Sequence, residues 1–331
     1  FSAFISSRIG VKTTLLIGLA LIVAFSALSG AAGSVDAIIG FRAGWGLGNA
    51  LFISTALAAI VGAAAGHAGQ AVILYEAAIG VGMAIGPLAG GVLGEISWRA
   101  PFYGTAVLMA AGFIAIATLL AKAERKPEPV ALTAGLAAAK DPALLTLGVV
   151  AFFYNFGFFT LLAYSPYPIE EAAALSGRNF GATELGYVFF GWGLALAVSS
   201  VFIAPRLTRA FGLMPVVVTV LIGFSAILAG LGFAVHKLGV VVVLVILAGV
   251  FSGVFNTVLT EAVMEATEMP RNVASSSYSG MRFLGGAVAP AVSGPLAASL
   301  GTGVPYWFGA GSLMVSLLIL FAGRKTLHRI L

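Results

Sequence analysis

Residues Tyr75–Gly94 read YEAAIGVGMAIGPLAGGVLG, and this stretch decides the fold. It is one long apolar run carrying Gly80, Gly82, Gly86, Pro87, Gly90, Gly91 and Gly94. In water it would make a poor helix, because each interior Gly costs about 1 kcal/mol against Ala and an interior Pro about 3 kcal/mol. In hydrocarbon the backbone has no water to bond, so helix is imposed and neighbouring helices satisfy the groups that a Pro frees. Glycines then permit close approach of a second helix. Gly82, Gly86 and Gly90 recur every four residues, which predicts one glycine face pressed on a partner, with a kink at Pro87 beside it.

Composition agrees. Charged residues are 9% of the 331 and apolar ones 60%, against roughly 25% and 45–50% in soluble domains. The chain is therefore expected to be an all-α membrane protein. There is no cysteine, which excludes disulfides, thiolate nucleophiles and Cys-based metal sites. The net charge of +5 comes from basic residues scattered singly between apolar runs, not the one-faced patch of a nucleic-acid binder. No His-Glu-x-x-His and no phosphate loop are present, and the Gly-rich runs do not follow strands. No enzyme activity, metal or cofactor is expected.

Ten runs reach the ~20 residues needed to span a bilayer. They are Thr13–Gly33, Ala37–Val61, Gln70–Gly94, Pro101–Ala121, Ala143–Ser165, Glu184–Pro205, Leu213–Val235, Gly239–Val263, Val273–Ser299 and Gly303–Gly323. The longest polar interruption, 122–142, reads as a linker between residues 1–121 and 143–331, and Val130–Lys140 within it is expected to form a short surface helix. The second longest is Pro166–Thr183. Numbering the loops alternately places twelve Lys and Arg on one side and three on the other, with Arg42 and Arg282 inside spans. The positive-inside bias predicts that the linker and the C-terminus are cytoplasmic.

The chain repeats internally. Tyr75, Gly82, Pro87 and Gly91 match Tyr278, Gly285, Pro290 and Gly294, each 203 residues later. Leu16-Ile17-Gly18 matches Leu221-Ile222-Gly223, and Gly44 and Gly48 match Gly249 and Gly253, at 205. Repeats of the same orientation predict two like bundles side by side. Counting back from Ala143 by the same interval, the first half is expected to begin some sixty residues before Phe1. The chain would then start in the last turns of a second helix.

At this point the sequence resembles the major facilitator superfamily, a twelve-helix transporter fold of two pseudo-symmetric six-helix bundles. Gly82-x-x-x-Gly86-Pro87-x-x-Gly90-Gly91 resembles the antiporter motif of the fifth helix, although Ile73 stands where an upstream glycine is often found. Arg42-Ala-Gly-Trp-Gly46-Leu-Gly48-Asn-Ala50 resembles the motif opening the fourth helix. Arg8, Gly10 and Lys12 resemble the end of the loop motif between the second and third, with Ser7 and Ala3 where the family usually has Asp and Gly. The resemblance implies ten complete membrane helices here plus a stub of the second. It is strongest to the drug–proton antiporters. It implies a monomer in the plasma or inner membrane that exports small amphipathic compounds by alternating access, with protons as the coupled ion. A metabolite, sugar or organic-anion transporter of the same fold is the alternative.

Intramembrane charge is costly, so it marks candidates for function. Arg42 lies ~7–8 Å into its helix, Glu76 ~9 Å and Arg282 ~13–14 Å, at 1.5 Å per residue. Arg42 is either a fixed cation that lowers the pKa of a coupling acid or a structural group on backbone carbonyls. Glu76 is either a proton carrier or a packing acid, and Arg282 either a coupling charge or the partner of another helix. The resemblance also turns the fourth, seventh and tenth helices toward a cavity. That makes Asn49, Tyr154, Asn155, Phe158, Phe159, Tyr164, Phe255 and Asn256 candidate solute contacts, with core packing as the other reading of the aromatics.

Overall fold

A computed structural model describes residues 2–63, 68–120, 138, 140–269 and 271–327. These are helical throughout, with no strand among them. In order the helices are α1 (Ser2–Ile9), α2 (Val11–Ala31), α3 (Val35–Ala63), α4 (Ala68–Ile96), α5 (Ala100–Leu119), α6 (Pro142–Tyr164), α7 (Pro166–Leu175), α8 (Ala182–Val198), α9 (Ala204–Phe211), α10 (Leu213–Ala234), α11 (Leu238–Ala266), α12 (Arg271–Leu300) and α13 (Val304–Ala322). Nine helices among the described residues are long and apolar enough to cross a bilayer, and the 29-residue α3 is a tenth long helix. The expected spans are present. The expected surface helix at Val130–Lys140 lies almost wholly outside the described residues.

The repeat is visible in the packing. Helix α2 packs on α3 and α5, as α10 packs on α11 and α13; α4 packs on α3 and α5, as α12 packs on α11 and α13. The backbone repeats too. Gly10, between α1 and α2, has φ 88°, and Gly212, between α9 and α10, has φ 83°. Both turns need a left-handed residue, which glycine adopts without a Cβ clash.

Helix ends are closed by long polar side chains, since the last carbonyls of a helix have no intrahelical partner. Lys12 Nζ donates to the carbonyls of Ala117 and Leu120 at 2.8 and 2.6 Å, and so caps α5. Arg99 donates to the carbonyl of Ala32 at 3.0 Å, beyond the end of α2. Asp141 caps α6: its Oδ1 accepts from the backbone N–H groups of Ala143 and Leu144, and its Oδ2 accepts from Thr267 Oγ1 at 2.6 Å.

Within the interruption Pro166–Thr183, Pro166–Leu175 forms α7 directly after α6. Pro at the first helical position starts it, its missing N–H being an orphan there in any case. The span ending at Pro205 also runs on. Ser199–Ile203 forms a π turn that leads into α9. Pro205 accounts for the widening, since its ring would clash with the carbonyl four residues back in a regular α-helix. Ser200 Oγ donates to the carbonyl of Gly253 at 3.0 Å and ties this turn to α11.

Candidate functional site

Among the described residues the most extensive helix pairing is α4 on α8. It joins the helices of the first repeat to those of the second, and at its glycines the backbones meet directly. The two helices run antiparallel, with Gly80 against Ala197, Ala84 against Gly193, the Pro87 carbonyl against Gly186, and Gly91 against Ala182. A Cβ on Gly193 would lie 2.5 Å from the Ala84 nitrogen and 2.7 Å from the Met83 carbonyl carbon. The expected face of Gly82, Gly86 and Gly90 is corrected: a Cβ on any of these would meet nothing within 4 Å among the described residues. The reason is direction: at roughly 100° per residue, 82, 86 and 90 do share a face, but it is turned about half a revolution from the face of 80, 84, 87 and 91 that meets α8. Helix α4 runs unbroken through Pro87.

Three aromatics of α6 and α11 are buried. Tyr154 and Phe158 are each 1% exposed and Phe255 0%. Tyr154 stacks on Phe255 with centroids 3.9 Å apart, and Phe158 meets Trp192 at 5.7 Å. They lie in the packed core of the second bundle, in agreement with core packing as the other reading of these aromatics. Phe159 sits against Gly286 of α12. Tyr164 donates its hydroxyl to the carbonyl of Thr302 at 2.8 Å. It also helps line a cleft of about 480 Å³ with Tyr167, Pro290, Ser293, Gly294 and Ala297.

The two amides near them bond to Arg282 on α12. Asn256 Oδ1 accepts a hydrogen bond from Arg282 Nη2 at 3.0 Å. Asn155 Nδ2 donates to the backbone carbonyl of Arg282 at 2.9 Å. Three helices, α6, α11 and α12, therefore meet at one arginine. Arg42 is exposed on α3 with its guanidinium carbon 4.0 Å from the centre of the Trp45 ring. That geometry stabilises a cation through the ring's negative face. Asn49 is half-buried one turn further along α3. Arg8 is exposed, 5.4 Å above the Phe4 ring. Glu76 falls on α4, but its side chain lies outside the described residues. No group of three or more His, Asp or Glu placed to hold a metal occurs among the described residues.

The sequence profile of the Major Facilitator Superfamily matches residues 1–173. The chain belongs to this superfamily. It is 47% identical over 327 residues to the multidrug efflux protein YfmO of Bacillus subtilis (strain 168), an alignment that covers 99% of this chain and 80% of that protein. It is 30% identical over 142 residues to the class C tetracycline resistance protein of Escherichia coli, covering 42% of this chain and 36% of that one. The solved structure of the human organic anion transporter MFSD10 superposes with a TM-score of 0.77 at 18% identity, over 96% of this chain and 79% of that one. That likeness concerns the fold. A member of the Major Facilitator Superfamily with these relatives is a multi-pass membrane transporter and not an enzyme. In this superfamily member, the family resemblance implied that the fifth helix packs against the eighth, which is α8, but sequence reasoning did not name the α8 residues of the seam. Ala182, Gly186, Gly193 and Ala197 repeat at steps of four, seven and four, which is the signal that would have found them.

Proposed function

We propose that this protein exports small amphipathic drugs by alternating access, driven by protons moving inward. The export reading is carried by the 47% identity, across 99% of the chain, to a protein described as a multidrug efflux protein. Two bundles rock about a central site, and the α4–α8 seam closes the space between them, which limits proton leak. Its glycine contacts support this, because small residues let the two helices approach closely.

Arg42, Glu76 and Arg282 are assigned to coupling. The stacking of Arg42 on Trp45 and the amide ligation of Arg282 both support a retained positive charge inside the membrane. Such a charge favours the ionised form of any carboxylic acid that approaches it, and so favours proton release. Asn49, Phe159 and Tyr164 remain the candidate solute contacts, while Tyr154, Phe158 and Phe255 serve packing. The protein acts as a monomer in the plasma or inner membrane, with the 122–142 linker and the C-terminus cytoplasmic. The excess of Lys and Arg on that side supports this orientation.

The test is exchange in reconstituted vesicles carrying an imposed pH gradient. A lipophilic dye cation should move against its own gradient, collapse to passive leak with a protonophore, and trigger proton movement when added. Transport that ignores the protonophore, or competition by organic anions with none by lipophilic cations, would overturn the reading. Arg42→Ala and Glu76→Gln should each abolish the triggered proton movement.

A further inference from the structure

We propose that Asn155 and Asn256 are positioning residues for Arg282 and make no contact with the transported solute. The inference rests on the coupling role given to Arg282 above. An arginine has a long, flexible stem, and near a membrane midplane its head tends to bend toward the nearest interface. Here it is held at two points. Asn256, 4% exposed on α11, takes Nη2 at 3.0 Å. Asn155, 0% exposed on α6, takes the Arg282 backbone carbonyl at 2.9 Å. The Asn155 side-chain oxygen accepts nothing among the described residues, so its amide is oriented by the bond it donates. The following turn of α12 locks the same register, with Gly285 against the Phe152 carbonyl and Gly286 against the Phe159 ring.

The choice of amides has a chemical meaning. A carboxylate at 256 would hold the guanidinium more strongly but cancel its charge. An amide oxygen orients the fork without itself adding a negative charge. All three residues belong to helices of one bundle, so the charge travels with that bundle as it rocks.

The experiment compares Asn256→Leu, Asn256→Asp, Arg282→Ala and the Asn256→Leu/Arg282→Ala double variant of the whole protein. Thermal melting is measured in lipid nanodiscs, and the proton-to-dye ratio is measured in vesicles. Asn256→Leu should lower the melting temperature and the ratio, and neither loss should add to that of Arg282→Ala. Asn256→Asp should restore melting but not the ratio, a split that a purely structural role does not produce. Losses that add fully, or an Asn256→Asp protein coupled like the wild type, overturn the proposal. If the wild type exchanges no protons at all, the coupling reading falls, and the melting cycle decides the pinning alone. Non-additive melting then retains it, and additive melting refutes it.

Discussion

Gly193→Ala should weaken the joint between the bundles, while the same change at Gly86 should not. At Gly193 the new methyl would sit 2.5 Å from the Ala84 nitrogen and 2.7 Å from the Met83 carbonyl carbon. Van der Waals contact begins near 3.5 Å, so α4 and α8 must part by about 1 Å. Both neighbours are backbone, and no rotamer change can absorb the shift. Overpacking of this kind costs about 1–3 kcal/mol. Since about 1.4 kcal/mol is a factor of ten, the closed seam loses roughly 5- to 150-fold in population. Alanine's better helix propensity returns less than ~1 kcal/mol. At Gly86 nothing lies within 4 Å of the added methyl among the described residues, so only that small gain remains. The assay is proton leak and dye export in vesicles, with spin-label distances across α4 and α8. Gly193→Ala should leak and show a longer distance. Equal leak from the two variants, or none from Gly193→Ala, would refute the reasoning.

Tyr154→Ala removes a buried ring stacked at 3.9 Å on Phe255 and should cost about 3–5 kcal/mol of stability. Its signature is lost folded protein in a melting experiment, with the substrate range of the surviving fraction unchanged. Gly10→Ala and Gly212→Ala force a side chain into φ 88° and 83° and should each cost about 1–2 kcal/mol. The two melting shifts should agree, because the turns are equivalent. Asp141→Ala frees two N–H groups at the start of α6 and should cost about 0.5–2 kcal/mol, whereas Asp141→Asn should recover most of that by melting.

The spans and the two-fold repeat were legible because both are properties of single helices: hydropathy over twenty residues, and glycines and prolines at a fixed interval. The working face of α4 was not. With Gly80, Gly82, Gly86, Gly90 and Gly91 in three turns, several faces of that helix are small enough to approach closely. The partner chooses among them, and its own small residues lie about a hundred positions away on α8. The aromatics of α6 were left with two readings for a related reason. In a membrane protein the lipid side and the core side are both apolar, so periodicity cannot separate a buried ring from one that lines a cavity. Asn155 and Asn256 were found as polar groups needing partners, but the partner, Arg282, sits on a third helix. Pro205 was taken as the end of a helix because proline usually is one, and the π turn that lets the chain continue leaves no mark in hydropathy.

A joint whose closest contacts run between glycines and main chain has few teeth. Interlocked side chains would hold α4 and α8 at one angle and make each change of angle climb over a set of rotamer barriers. Smooth cylinders in contact fix the spacing of their axes but resist rolling only weakly. The same stripe of small residues that brings the bundles together should therefore let one tilt on the other at little cost, as a pivot and not a clamp.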